Sequence, residues 1–582
     1  MAMSMAEEER SLVRLCIESA TESAESVDKW RRQRRTLERM PSHLSSPLLH
    51  RLLHRRILSP SLLEIFQHSV EEVDLKGENC VDAEWMSYIG GFWHLRALNL
   101  AGCRGITNSA LWPITGMTNL VDLDLSRCSK ITDACVGHLL SISNLKKLYL
   151  SETGLTTDGV RNLSCLKSLC VLDLGGLPVT DMALFWFQEL TELEHLELWG
   201  SKISNRGAAL LETFPKLSFL NVAWTDVTHL PMLPSVTCLN ISRCNIHSIY
   251  GGELNVTVPL SKLLASGTTF LNINLQFAPV EADDLSCIDL SGSSVDNFHF
   301  LGHMKALEHL NLSFGAMSDD LMWPLSRIGE KLRYLNLNNT KVTKIGLCII
   351  SSNVLVLETL LLSHTFVDDD ALLYIHSMPS LREIDLSNTK IKGFTLSLLQ
   401  NLTHLQSLNL EQTLVTDEAL HLLSVLQELK CLYLKSEILS DVSLHVLSSL
   451  PKLTSIGFRG TVLSNAGLQL FSPPPMLQVL DIRGCWLLTE DVVQSFHISY
   501  PQIDLRHEFV HSHLATAGQY VVPSKLKGGK SSQASRTFQR QNFVDERLKY
   551  NREELLELQF SHLPSLSLNS SKAVLPKMLL KE

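Results

Sequence analysis

The chain has 582 residues, with 51 Lys+Arg against 61 Asp+Glu and a formal net charge of −10. Apolar residues make up 45% and charged residues 19%, which excludes a mainly disordered chain and a basic nucleic-acid coat. No run of about 18 apolar residues occurs, so neither a transmembrane helix nor membrane insertion is expected.

The chain starts MAMSMAEEER, acidic before any apolar run and unlike a secretory leader. A cytoplasmic setting is expected. A nuclear one is the alternative, because Lys29–Arg35 reads KWRRQRR; a solvated linker is the plainer reading of that run. The 13 cysteines are odd in number and form no CxxC pair, so reduced structural thiols are expected, with no metal and no cofactor. From Glu7 to Lys29 there is no Pro or Gly, and Leu12, Leu15, Cys16 and Ala20 fall on one face of a helix. Residues 40–66 are Leu-rich, and Ser46 with Pro47 predicts a helix start at that point. Residues 1–69 therefore read as a helical N-terminal cap.

From residue 70 to 505 one phrase, L-x-x-L-x-L, repeats. It reads HLRALNL to Leu100, NLVDLDL to Leu125 and NLKKLYL to Leu150, and continues to Ile482 in steps that are mostly 24 or 25 residues. A poor last copy sits at Ile503 and Leu505. The L-x-L core alternates sides, which predicts a short strand. A turn follows, often with Thr or Cys (Cys103, Cys128, Thr340, Cys485), and then a helical stretch such as 131–142. One unit cannot bury its apolar side alone, whereas stacked units can. These phrases resemble the leucine-rich repeat in its longer, ribonuclease-inhibitor-like form. The resemblance implies an α/β solenoid, a horseshoe of about 18–19 repeats with a parallel sheet on the concave face and helices on the convex face. One interval, 223–289, departs: its first step is short, and WTDVTHLPMLPSV places two prolines where a helix belongs.

Side chains between the core leucines are expected to line the concave groove. The aromatic and histidine ones cluster as His195, Trp199, Phe219 and Trp224, then His309, Phe314 and Tyr334; these are the candidate partner-binding residues. The nearby Asp173 and Glu197 favour a polar or basic target. After 505 the composition changes. The stretch 521–541 reads as a flexible linker, and 543–560 as a helix within the tail 506–582. Residues 1–69 carry a net +2, the tail +5 and the remainder −17. An acidic solenoid argues against nucleic acid along it.

In SLVRLCIESA, Ser11, Leu12, Cys16 and Ala20 resemble the BC-box that holds Elongin C. In MPSHLSSPL, Met40, Pro41, Leu44 and Leu48 resemble a cullin box. This order ahead of leucine-rich repeats resembles the zyg-eleven/Zer-one receptors of cullin-2 ubiquitin ligases. The resemblance implies a substrate receptor, with these residues binding the adaptor and cullin and the repeats selecting a protein substrate. The tail is shorter than the armadillo-type domain of that family, so its preference for substrate N-termini does not carry over. An F-box binding a Skp-type adaptor is an alternative for 40–66, and a purely structural cap is another. A non-enzymatic scaffold or signalling protein is the alternative to the ligase receptor.

Two catalytic patterns are discounted. His507-Glu508-Phe509-Val510-His511 matches HExxH, but it follows the last strand directly and lacks a third ligand. Gly529-Lys530-Ser531 resembles the end of a phosphate loop, but its first glycine position is Ser524. No catalytic residues are assigned, and an enzyme is not expected.

Overall fold

The computed structural model describes residues 13–31, 40–249, 256–257, 259–271, 280–281, 284–509 and 554–555. The chain divides into two units, Met1–Ala282 and Asp283–Glu582. Nine of the 19 repeat strands fall in the first unit and ten in the second. The first unit's strands run from Glu72–Asp74 to Lys262–Leu264, and the second's from Cys287–Asp289 to Asp504–Arg506.

The strands of these ladders pair in parallel and in register: Leu98 lies beside Leu123, and Leu335 beside Leu360. The register follows from burial. The middle residue of each strand points inward, and Leu123, Leu196, Leu335 and Leu408 are all fully buried. A slip by one residue would turn the whole leucine column outward. The architecture is an α/β leucine-rich-repeat solenoid. The weak last copy behaves as an edge, because Leu505 is only half-buried.

In many repeats the turn after the strand is built from two recurring hydrogen bonds. An Asp or Asn at the strand's third position accepts the N–H two residues on, as in Asn99 with Ala101 (3.0 Å), Asp124 with Ser126 (2.9 Å) and Asp385 with Ser387 (2.9 Å). A Cys or Thr then donates to a strand-end carbonyl: Cys103 Sγ to Leu75 (3.1 Å), Cys485 Sγ to Phe458 (3.1 Å) and Thr340 Oγ1 to Leu337 (2.6 Å). These thiols are packing residues. Burial pushes Cys128 up to about 12, so it stays protonated.

Short helices follow the turns, and a ladder of caps joins them. Asp133, Asp181, Asp319 and Asp441 each accept the backbone N–H and hydroxyl of the Ser or Thr that opens the next repeat's helix, at 2.5–2.8 Å. The stretch 131–142 forms a 3-10 turn, Asp133–Cys135, and an α-helix, Val136–Leu140. It buries Ile131, Val136 and Leu139, while Leu140 is half-buried.

In the interval 223–289 parallel strand pairs stand where helices stand elsewhere. His229–Leu230 pairs with Ser248–Ile249, Asn245–Ile246 with Thr269–Phe270, and Val256–Thr257 with Val280–Glu281. Pro231 and Pro234 cannot donate helical hydrogen bonds, which accounts for the first of these. Among the described residues no helix is long and apolar enough to cross a membrane.

The N-terminal segment corrects two expectations. The single helix over Glu7–Lys29 is broken within the described residues: one helix covers 13–20, a turn follows, and a second covers Ala24–Arg31. Trp30 Nε1 donates to the Ala20 carbonyl at 2.9 Å across that turn. No helix starts at Pro47, which lies inside the helix Ser42–His54. Pro47 and His43 are both exposed, so the carbonyl left without a helical donor faces solvent. The buried Leu48, Leu49 and Leu52 hold that helix in place, and Ser45 Oγ donates to the Ser69 carbonyl at 3.3 Å.

Candidate functional site

The aromatic cluster forms as stacked neighbours within each unit. Strand register places His195 beside Phe219, and their rings stack at 4.0 Å and 1°. His195 Nε2 lies 3.1 Å from Glu197 Oε1, and Asn221 Nδ2 donates to Glu197 Oε2 at 2.6 Å. Trp199 lies over Gly175, where a β-carbon would fall 2.0 Å from Trp199 Nε1. In the second unit His309 stacks on Tyr334 at 3.9 Å and 10°. Burial raises the Tyr334 hydroxyl far above its usual range.

Exposure separates the seven candidates. His195, Trp199, Phe219 and His309 are buried, and Tyr334 is half-buried. Trp224 and Phe314 are 44% and 47% exposed. Both stand in turns just beyond a strand, at φ 58. The expectation that all seven offer exposed faces thus holds for these two. The four buried side chains act first as packing.

Sequence reading missed a charged cluster in the second unit. The strands Glu383–Asp385, Cys431–Lys435, Ser455–Arg459 and Val479–Asp481 carry Glu383, Asp385, Tyr433, Arg459 and Asp481, with Glu411 and Arg483 in adjoining turns. Arg459 contacts Glu411 at 2.9 Å and Asp481 at 3.4 Å, and Arg483 grips both oxygens of Asp481 at 2.9 and 2.6 Å. Desolvation raises Glu383, Asp385 and Glu411 above the usual carboxylate range; the Asp385 charge adds to it at Glu383, and Arg459 opposes it at Glu411. Burial also pushes Asp481 upward, but the Arg483 contacts outweigh it and hold the carboxyl low. The signal was present in EIDLS, NLEQ, GFRG and DIRG, once each phrase is laid on the next in register.

At the N-terminus, Leu12 lies outside the described residues. Leu15 is 58% exposed, Cys16 is exposed and Ala20 is half-buried. Of the second box, Pro41 is exposed, Met40 and Leu44 are half-buried, and Leu48 is buried. The expected tail elements at 521–541 and 543–560 lie outside the described residues, apart from Glu554 and Leu555; so do His511, Gly529, Lys530 and Ser531. His507 and Glu508 leave the last strand in non-helical backbone, so the first two residues of the HExxH run lack the helix that pattern needs. Among the described residues no group of three or more His, Cys, Asp or Glu side chains is arranged to hold a metal ion.

No family model and no curated protein matches the sequence. The fold is similar to that of solved leucine-rich-repeat structures. TLR13 in complex with ssRNA13 is 20% identical with a TM-score of 0.50, over 74% of this chain and 62% of that one. A leucine-rich-repeat protein of Leptospira interrogans is 17% identical with a TM-score of 0.42, over 75% of this chain and 95% of that one. An internalin from Listeria monocytogenes is 18% identical with a TM-score of 0.37, over 66% and 92%. At these identities the likeness concerns the fold.

Proposed function

Proceeding from a leucine-rich-repeat solenoid, we propose that this chain recognises a protein and serves as the substrate-receptor subunit of a cullin-RING ubiquitin ligase. The observation that carries the docking half is a division of labour at the N-terminus. The helix Ser42–His54 buries Leu48, Leu49 and Leu52, as a solenoid cap does. The helix over 13–20 keeps Leu15 and Cys16 exposed. Side chains left exposed on a short helix suit a groove-binding adaptor such as Elongin C. Leu12, Cys16 and Ala20 hold the adaptor in this reading, and Met40, Pro41 and Leu44 lie toward the cullin. Leu48 is taken up by packing. The repeats bind the substrate protein, and no residue is assigned to catalysis. The acidic solenoid favours a protein over a nucleic acid. The setting is cytoplasmic or nuclear.

The test is a pull-down from cell lysate of the intact chain beside a Leu12→Ala/Cys16→Ala variant, blotted for Elongin C, a Skp-type adaptor and cullins. The expected result is Elongin C and a cullin with the intact chain and neither with the variant. A Skp-type adaptor in their place moves the assignment to an F-box. Recovery of none, from folded protein, leaves a non-enzymatic scaffold and ends the ligase reading.

A further inference from the structure

In the first unit the third residue after each of the nine repeat strands has a positive φ. Five of these positions are glycine: Gly77, Gly102, Gly176, Gly200 and Gly267. The other four are Arg127, Glu152, Trp224 and Arg243, at φ 54 to 62. A β-carbon in that region crowds the following carbonyl, so a bulky side chain there is uncommon.

The four side chains lie along the turns. Arg127 Nε reaches Glu152 Oε2 at 2.6 Å, so these two neutralise one another. The Arg243 guanidinium stands over the Trp224 ring at 5.7 Å. Arg243 then crosses Gly267, where a β-carbon would meet its Cδ at 2.7 Å. Glycine at 267 thus serves the turn and also clears the path for Arg243. Among the described residues Arg243 forms no ion pair, and neither does the exposed Asp226 in the Trp224 turn. The acidic groups named near the cluster make hydrogen bonds within the fold. Asp173 accepts the Gly175 N–H at 3.0 Å, and Glu197 is buried between His195 and Asn221. Of these charges, the Arg243 guanidinium is the one that stands over the exposed Trp224 ring.

We propose that Trp224 and Arg243 form a docking point for a protein segment carrying a carboxylate next to an apolar side chain. The indole takes the apolar group, and the guanidinium, held over the ring, takes the carboxylate. This inference rests on the protein-recognition reading and is independent of the ligase assignment.

The test uses the full chain and two pools of short labelled peptides, alike except that Leu or Phe is flanked by Asp/Glu in one pool and by Lys/Arg in the other. Fluorescence polarisation should show the acidic pool binding about tenfold tighter. Trp224→Asn should abolish that binding without lowering the thermal midpoint, because Asn339 and Asn388 hold the same turn at φ 55 and 56. Trp224→Phe should retain part of the binding, and Arg243→Gln should erase the preference for acid. Unchanged binding by Trp224→Asn, or a midpoint several degrees lower, overturns the proposal. Preference for the basic pool also overturns it while leaving protein recognition intact. Binding of neither pool by the unmodified chain counts against both.

Discussion

Along five successive strands of the first unit, from Val171–Asp173 to Lys262–Leu264, all three residues are buried. Along Glu383–Asp385 and Ser407–Asn409 of the second unit only the middle one is. The same alternation of leucines yields both outcomes. Alternation decides which way a side chain points, and its neighbours in register decide whether it meets water. In the first stretch His195 meets Phe219 face to face, and Glu197 meets Asn221. Beside the second, Arg459 pairs with Glu411 and with Asp481, and Arg459 and Glu411 stay partly hydrated. The first surface is an extension of the core, and the second is electrostatic.

The largest expected effect tests that distinction directly. Phe219 flanks a strand's central leucine yet is fully buried. Phe219→Ala should cost about 3–5 kcal/mol in denaturant unfolding. Ser407→Ala, at the matching position of a second-unit strand, should stay within about 0.5 kcal/mol. Similar costs for the two would erase the contrast.

The ladder was legible in the sequence because its determinant is local. The expected phrase endings at Leu100, Leu125 and Leu150 each directly follow a strand. Cys103 and Cys485 were legible as turn residues for the same reason. What escaped reading depends on the next repeat. Nothing in LNVAW says that Trp224 takes a glycine's place in the turn, or that Arg243 lies over it. Nothing in one phrase places Glu411 beside Arg459, two strands away. Pro47 was misread because its cost depends on whether the His43 carbonyl meets water, which the fold decides. The interval 223–289 was recognised as irregular from its prolines, but the strand pairs that replace helices there need partners from neighbouring repeats.

A smaller effect lies on the helical side, where carboxylates are paired. Burial pushes Asp417 upward, but the hydroxyl and N–H of Ser440 (2.6 and 3.0 Å) and the Ser443 hydroxyl outweigh it and hold the carboxyl below its usual range. A lowered folded value stabilises above the ordinary carboxylate range, and that stability is lost as pH falls through the folded value. Asp417→Ala should therefore cost about 2–3 kcal/mol near neutrality. The gap from wild type should narrow at about pH 2. A gap that does not change with pH would mean that packing, and not charge, holds this helix start.

The smallest effect has the opposite sign and belongs to the electrostatic surface. Asp385 accepts the Ser387 N–H at 2.9 Å, and Asn makes the same bond in other repeats, at Asn221, Asn311 and Asn409. Asp385→Asn keeps the turn and removes a charge that desolvation disfavours. A raised folded value gives stability that is present below the ordinary carboxylate range and lost as pH rises through the folded value. Near pH 7 the wild type carries that penalty and the variant does not, so the variant's thermal midpoint should be higher, by about 1–2 °C. The same change removes a negative neighbour from Glu383, whose carboxyl should titrate lower. Near pH 3 Asp385 is protonated in both states and the two midpoints should meet. A lower midpoint for Asp385→Asn at neutral pH would mean that the carboxylate is held by a favourable contact an amide cannot make. The second unit's surface would then help to hold the fold together, just as the first unit's buried strands do.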